Sequence, residues 1–163
     1  MKFKLLIATI LISVFSLTLI STTPLFAEDD DHFINSDHYF ITKEKFTQGW
    51  IYVTLATLKT EATAQTKNEA EFITVRDGEE IWTKFYYKTR IAEKTEIKRG
   101  LEVIMCEVSD DEIYRAPQDK DEAFQNNWFM AKVTDVSDVF KGYVTVSGGY
   151  KVKVDNLRVI VKK

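Results

Sequence analysis

The chain has 163 residues, with 22 Lys and Arg against 25 Asp and Glu, for a formal net charge of −3. That mild acidity argues against nucleic acid and anionic membrane surfaces as main partners, since both need a basic face. Cys106 is the only cysteine, which rules out an intramolecular disulfide and leaves stability to the apolar core.

At the start, Lys2 and Lys4 precede an uncharged run from Leu5 to Ala27, and an acidic Glu28-Asp29-Asp30-Asp31 follows. A basic start, an apolar middle and a small residue before a polar stretch form the layout of a secretory signal. Residues 1–27 are therefore read as a signal peptide cut after Ala27. The alternative is an uncleaved anchor, because about 20 apolar residues cross a bilayer. Ser13, Ser16, Ser21, Thr22, Thr23 and the helix breaker Pro24 favour cleavage. The lysines come first, so the remainder lies outside in either case. The expected location is extracytoplasmic (periplasm, cell surface or secreted) in a bacterial envelope, with no membrane insertion after signal cleavage. The signal carries two lysines and no acid, so its loss leaves a net charge of −5.

Residues 28–38 are polar and acidic and read as a flexible lead-in. Residues 39–163 read as a single compact β domain, divisible into sub-units 39–90 and 91–163. Trp50 to Leu58 is rich in β-branched and aromatic residues, with alternation at Ile51, Val53 and Leu55, and predicts a strand. Thr60 to Asn68 lacks an apolar period and reads as a loop. Phe72 to Val75 and Ile81 to Thr89 flank Arg76-Asp77-Gly78-Glu79, a tight-turn sequence that predicts a β-hairpin. Leu101 to Val108 is a third strand. Glu107 to Lys120, charged and holding Pro117, reads as a loop, and Asp121 to Asn126 as one helical turn.

Trp128 to Val133, Tyr143 to Val146 and Tyr150 to Val154 are further strands, the last two joined at Ser147-Gly148-Gly149 as a hairpin. Val144, Val146, Val152 and Val154 would share one face, with Thr145, Lys151 and Lys153 on the other. Leu157 to Val161 closes the set. Two short segments, Lys45 to Trp50 and Glu96 to Leu101, share a polar–apolar–polar–polar–Gly–apolar pattern, read as two similar turns rather than a duplication.

Ile97-Lys98-Arg99-Gly100-Leu101, Asn127-Trp128-Phe129-Met130-Ala131-Lys132-Val133, Gly142-Tyr143-Val144-Thr145-Val146 and Val154-Asp155-Asn156-Leu157-Arg158-Val159 follow one another in a recognisable order. Residues 92–159 thereby resemble the small β-barrel modules of the Tudor, agenet and Src-homology-3-type superfamily. The resemblance implies a small Src-homology-3-like barrel that binds peptides, modified side chains or polymers in an aromatic-lined groove. The strand-leading aromatics Trp128 and Tyr143 are the residues it carries over. The expected fold is all-β, with antiparallel strands forming such a barrel and a β-hairpin subdomain in front of it.

The two histidines, His32 and His38, fall in or beside the lead-in, a poor support for a catalytic base. Neither a Gly-rich phosphate loop nor a His-Glu-x-x-His motif is present. The chain is therefore read as not an enzyme. Asp29-Asp30-Asp31-His32 with Asp37-His38 carries metal-ligand types without a fixed arrangement, and reads as a solvated tail. Asp110-Asp111-Glu112 and Asp119-Lys120-Asp121-Glu122 lack EF-hand spacing and read as a charged loop. No metal and no cofactor is expected. Cys106 shares the apolar parity of Ile104 and Val108 and reads as a buried, inert thiol.

Period two along Ile81 to Arg90 puts Ile81, Thr83, Phe85 and Tyr87 on one face and Trp82, Lys84, Tyr86, Lys88 and Arg90 on the other. Aromatics interleaved with cations can stack on rings and hold acidic groups. Trp82, Lys84, Tyr86, Lys88 and Arg90 are the candidate ligand-binding residues, with Trp128 and Tyr143 as a second set. The expected function is an exported, non-catalytic binding or structural module of the cell envelope, its partner a cell-wall polymer or an envelope protein. The alternatives are an accessory subunit of an envelope complex, or a hydrolase using carboxylates of the charged loops.

Overall fold

The alternation along Trp50 to Thr60 becomes an eleven-residue strand, long enough to serve two neighbourhoods at once. The computed structural model describes residues 30–162, and the expected signal peptide lies outside the described residues. In chain order the elements are α1 (Asp30–Asn35), β1 (His38–Ile41), β2 (Trp50–Thr60), β3 (Ala70–Thr74), β4 (Glu80–Thr83), β5 (Tyr86–Ile91) and β6 (Glu102–Cys106). They continue with β7 (Val108–Asp110), β8 (Ile113–Arg115), α2 (Lys120–Gln125), β9 (Trp128–Asp135), β10 (Tyr143–Val146), β11 (Lys151–Lys153) and β12 (Arg158–Lys162).

Six strands close into a small antiparallel barrel in the order β2-β1-β5-β12-β6-β9 and back to β2. The fold is thus mainly β and antiparallel, as the alternation predicts. Three barrel strands come from residues 38–91 and three from 102–162, so the two halves of the chain interlock. Phe40, Val53, Leu55, Tyr87, Ile104, Trp128 and Met130 fill the interior. Closure leaves none of these six strands as a bare edge.

Two extensions leave the barrel. From β2, the hairpin β3–β4 folds back, and Phe72, Ala70, Ile41, Ala56 and Tyr86 form a second core. From β9, strands β10, β11, β8 and β7 follow, with β11 and β8 parallel. Their apolar side covers the outer face of β6 and β9, where Val103, Met105, Phe129 and Ala131 share a core with Val144, Val146 and Val152, and Leu157 before β12 joins them. Strands β6 and β9 are therefore buried on both faces, which is why they read as continuous apolar runs rather than alternating ones. Both expected hairpins form, with Gly78, Gly148 and Gly149 at positive φ in their turns.

Three segments differ from the sequence reading. The lead-in is not a free tail: α1 docks with Phe33 7% exposed and its ring edge-on to Phe124 at 5.0 Å. Phe33 and Ile34 give this acidic stretch one apolar turn, enough to seat it. Arg158, itself buried, donates from Nη1 to the Ile34 carbonyl at 3.1 Å, from Nη2 to the Ser36 carbonyl and from Nε to Thr89 Oγ1 at 3.1 Å. The stretch read as a loop over Glu107 to Lys120 holds the short hairpin β7–β8, turned by Asp111 and Glu112 in left-handed conformation. The strand expected over Ile81 to Thr89 is broken at Lys84 and Phe85.

Candidate functional site

That break disperses the face expected from Trp82 to Arg90. Thr83 Oγ1 donates to the Thr42 carbonyl at 3.2 Å and accepts the Phe85 amide at 3.0 Å, so the chain turns there and β5 departs to pair with β1. Trp82 stays on β4, 45% exposed. Lys84 is exposed beside the Phe85 ring. Tyr86 is buried against Phe72, ring centroids 5.1 Å apart. Lys88 Nζ pairs with Asp37 at 3.1 Å, and Arg90 forks onto both oxygens of Glu96 at 2.7 Å.

The second expected pair is also divided. Trp128 is buried in the barrel, its Nε1 donating to the Ala123 carbonyl at 2.8 Å and its ring against Phe40. Tyr143 lies far along the chain fold on β10, half-buried, with Lys151 Nζ 4.8 Å from its ring centre. The seven residues therefore do not form one surface.

The structure gathers a different group. Because Ile51, Val53 and Leu55 point into the barrel, Trp50, Tyr52 and Thr54 point outward. Tyr52 lies opposite Phe129 in the β2–β9 register, and Trp50 opposite Ala131. Trp50 is 39% and Tyr52 52% exposed, yet neither is loose. The Trp50 ring stands edge-on to Tyr52 at 4.9 Å, to Phe129 at 6.1 Å and to Tyr150 at 6.5 Å. Tyr114 and Tyr150 meet at 5.5 Å, and each meets Phe129. Edge-to-face contacts of this kind are the favoured geometry for aromatic rings, so five rings hold one another in a herringbone.

Polar contacts fix the same group. The Tyr52 hydroxyl donates to Glu107 Oε1 at 3.3 Å, and Asn127 Nδ2 donates to Glu107 Oε2 at 2.8 Å. Ser147 Oγ donates to the Gly49 carbonyl, tying the start of β2 to the β10–β11 turn. Lost hydration and then the Glu107 charge push both the Tyr52 and Tyr114 hydroxyls above the ordinary phenol range. Both remain neutral donors across physiological pH.

Beside these rings an open groove of about 640 Å³ crosses the outer side of β2. Trp50, Tyr52 and Ile81 wall it, and Thr42, Lys43 and Glu44 from the loop after β1 edge it. It is an order of size suited to a small or extended ligand. No protein-family model, curated protein or solved structure matches the chain.

The carboxylates of the charged loops are placed elsewhere. Asp110 pairs with Arg115 at 2.8 Å, and Arg115 also forks onto Glu122, pinning β8 to α2. Asp111 and Glu112 form the exposed β7–β8 turn. Among the described residues, no three His, Cys, Asp or Glu side chains cluster as metal ligands would. The sequence reading passed over Trp50 and Tyr52 because Ile51, Val53 and Leu55 already explained the strand. The usable signal was on the other parity: two large aromatics where a half-exposed strand normally puts polar residues.

Proposed function

We propose that this chain is an exported, non-catalytic binding module of the cell envelope and that the Trp50–Tyr52 groove is its binding surface. The observation that carries the reading is a pair of large aromatic side chains, substantially exposed, held rigid by three further rings and by Glu107. Exposed rings already fixed in place lose little freedom on binding, which is what a recognition surface needs. The favoured partner is a cell-wall polymer.

The finer resemblance to Src-homology-3-type barrels belongs to this reading. Strands β6, β9, β10 and β11, a 3₁₀ turn at Val154–Asn156 and β12 follow in that order around the core of Val103, Phe129, Val146 and Val152. We place the groove outside that unit, on β2, whose rings lean on it.

Co-sedimentation with isolated cell wall tests the proposal. The protein should pellet with the wall, and a Trp50→Ala/Tyr52→Ala variant should stay in solution while melting within a few degrees of the parent. A Trp82→Ala variant probes the other exposed tryptophan and should still pellet. If Trp82→Ala abolishes pelleting and the double variant does not, the site is on β4.

One observation favours an envelope protein as partner instead. Phe140, at the tip of the turn Val139–Lys141, is 97% exposed, and a single bare ring at a loop tip suits insertion into a partner's pocket. Cross-linking from position 140 in the envelope distinguishes this accessory-subunit reading.

A further inference from the structure

We infer that the ligand of the Trp50–Tyr52 groove is an uncharged carbohydrate chain; the inference rests on the binding reading above. The charges at the groove come first. Lys43 and Glu44 sit side by side on its rim and cancel, and Glu107 stands behind the Tyr52 hydroxyl. A polyanion such as a phosphate-linked polymer would meet one cation and one carboxylate, with Glu107 behind Tyr52, rather than the cluster of cations that phosphate recognition requires. A cationic group would find no box to enter, because the rings touch at 4.9 to 6.5 Å and leave no space between them.

Hydrogen-bonding capacity separates the two remaining neutral polymers. A proline-rich peptide presents chiefly carbonyl acceptors along its extended helix. It could accept from Lys43, the Trp50 indole and the Thr42 and Thr54 hydroxyls, but it brings few donors to the Glu44 carboxylate, and the Tyr52 hydroxyl is already engaged with Glu107. A sugar chain presents hydroxyl donors on its rim and apolar C–H groups on its ring faces. Its hydroxyls, which both donate and accept, match Glu44, Lys43, Thr42 and Thr54, and its faces match the exposed sides of Trp50 and Tyr52. The groove is open to solvent rather than enclosed, which admits a chain lying across it.

The three tryptophans, Trp50, Trp82 and Trp128, give the test its resolution, because each indole N–H has its own proton resonance. The probes are tetrasaccharides of N-acetylglucosamine, of β-1,4-, β-1,3- and α-1,4-linked glucose and of mannose, beside a polyproline peptide and a glycerol-phosphate polymer. At least one tetrasaccharide at millimolar concentration should shift the Trp50 indole and leave those of Trp82 and Trp128 in place. Tyr52→Ala should weaken that binding about tenfold or more, and Tyr52→Phe, which keeps the ring, should retain most of it. If the peptide or the phosphate polymer shifts Trp50 and no sugar does, the carbohydrate assignment falls and the groove stands as a binding site. If no tetrasaccharide shifts Trp50, the assignment falls, and wall co-sedimentation of the Trp50→Ala/Tyr52→Ala variant judges the binding reading separately.

Discussion

Asn156 holds both backbone groups of Cys106. Its Oδ1 accepts the Cys106 amide at 2.9 Å, and its Nδ2 donates to the Cys106 carbonyl at 3.0 Å. Both residues are buried. The β12–β6 register pairs Arg158 with Ile104 and Val159 with Val103, so β12 no longer faces β6 at Cys106. The side-chain amide of Asn156 stands in for the missing strand, as an amide carries the same donor and acceptor as a peptide.

Replacing Asn156 with Ala should therefore leave two buried backbone groups unpaired and cost about 2–4 kcal/mol, read as a lower urea midpoint. Asn156→Asp is the sharper probe. It keeps the acceptor for the Cys106 amide but turns a carboxylate toward the Cys106 carbonyl. Its deficit relative to the parent should be large at neutral pH and shrink on acidification, when the protonated carboxyl can donate. A deficit independent of pH would show that Asn156 does not bridge Cys106 in solution.

Acid should loosen the α1 end of the barrel through His38. Its Nε2 lies 2.7 Å from the Phe33 carbonyl, and burial followed by the Arg158 guanidinium lowers its pKa to about 4. The Phe33 carbonyl and the neighbouring Asp37 oppose that shift. With the folded value below the unfolded 6.5, the unfolded chain binds more protons between the two. Stability is therefore fully present above pH 6.5 and falls as the pH drops toward 4, by about 3 kcal/mol over the span. Glu96 and Glu122, held low by Arg90 and Arg115, add their loss at more acidic pH. Urea unfolding of the parent and of His38→Gln from pH 7.5 to 4.5 isolates the histidine. The parent should lose stability more steeply, and parallel curves would rule His38 out as the cause.

Cys106 should behave as an inert side chain. It is fully buried in the barrel, and lost hydration followed by the Glu122 charge raises its thiol pKa to about 12. The thiolate is the reactive form, so at pH 8 a disulfide reagent should label it no faster than the protein unfolds. Labelling within seconds in the native state would contradict this burial.

The strands of the extension beyond β9 were legible because one face meets water. Val144, Val146, Val152 and Val154 alternate with polar neighbours and are buried as that alternation predicts. The hairpin at Asp77-Gly78 was legible for the same local reason. What could not be read is contact between distant strands. Nothing near Trp50 announces that Tyr150, a hundred residues on, will stand beside it. Nothing near Tyr86 shows that Thr83 will bond to Thr42 and bend the strand. Period two assumes an unbroken strand, and the expected face failed at that assumption.

Gly148 and Gly149 offer a contrast that reaches the groove. Both have positive φ, +88° and +80°, where an added Cβ costs about 1 kcal/mol. At Gly149 that is the whole cost, because nothing lies within 4 Å of the new carbon. At Gly148 the carbon would meet Tyr150 Cε2 at 2.6 Å. Tyr150 cannot simply swing away, since Trp50, Tyr114 and Phe129 pack against its ring. Gly148→Ala should therefore destabilise by at least about 1 kcal/mol more than Gly149→Ala, and should also shift the Trp50 indole resonance, which Gly149→Ala should leave unchanged. Equal effects of the two variants on Trp50 would mean that Tyr150 does not hold Trp50 in place, and the rigidity assigned to the groove would fall with it.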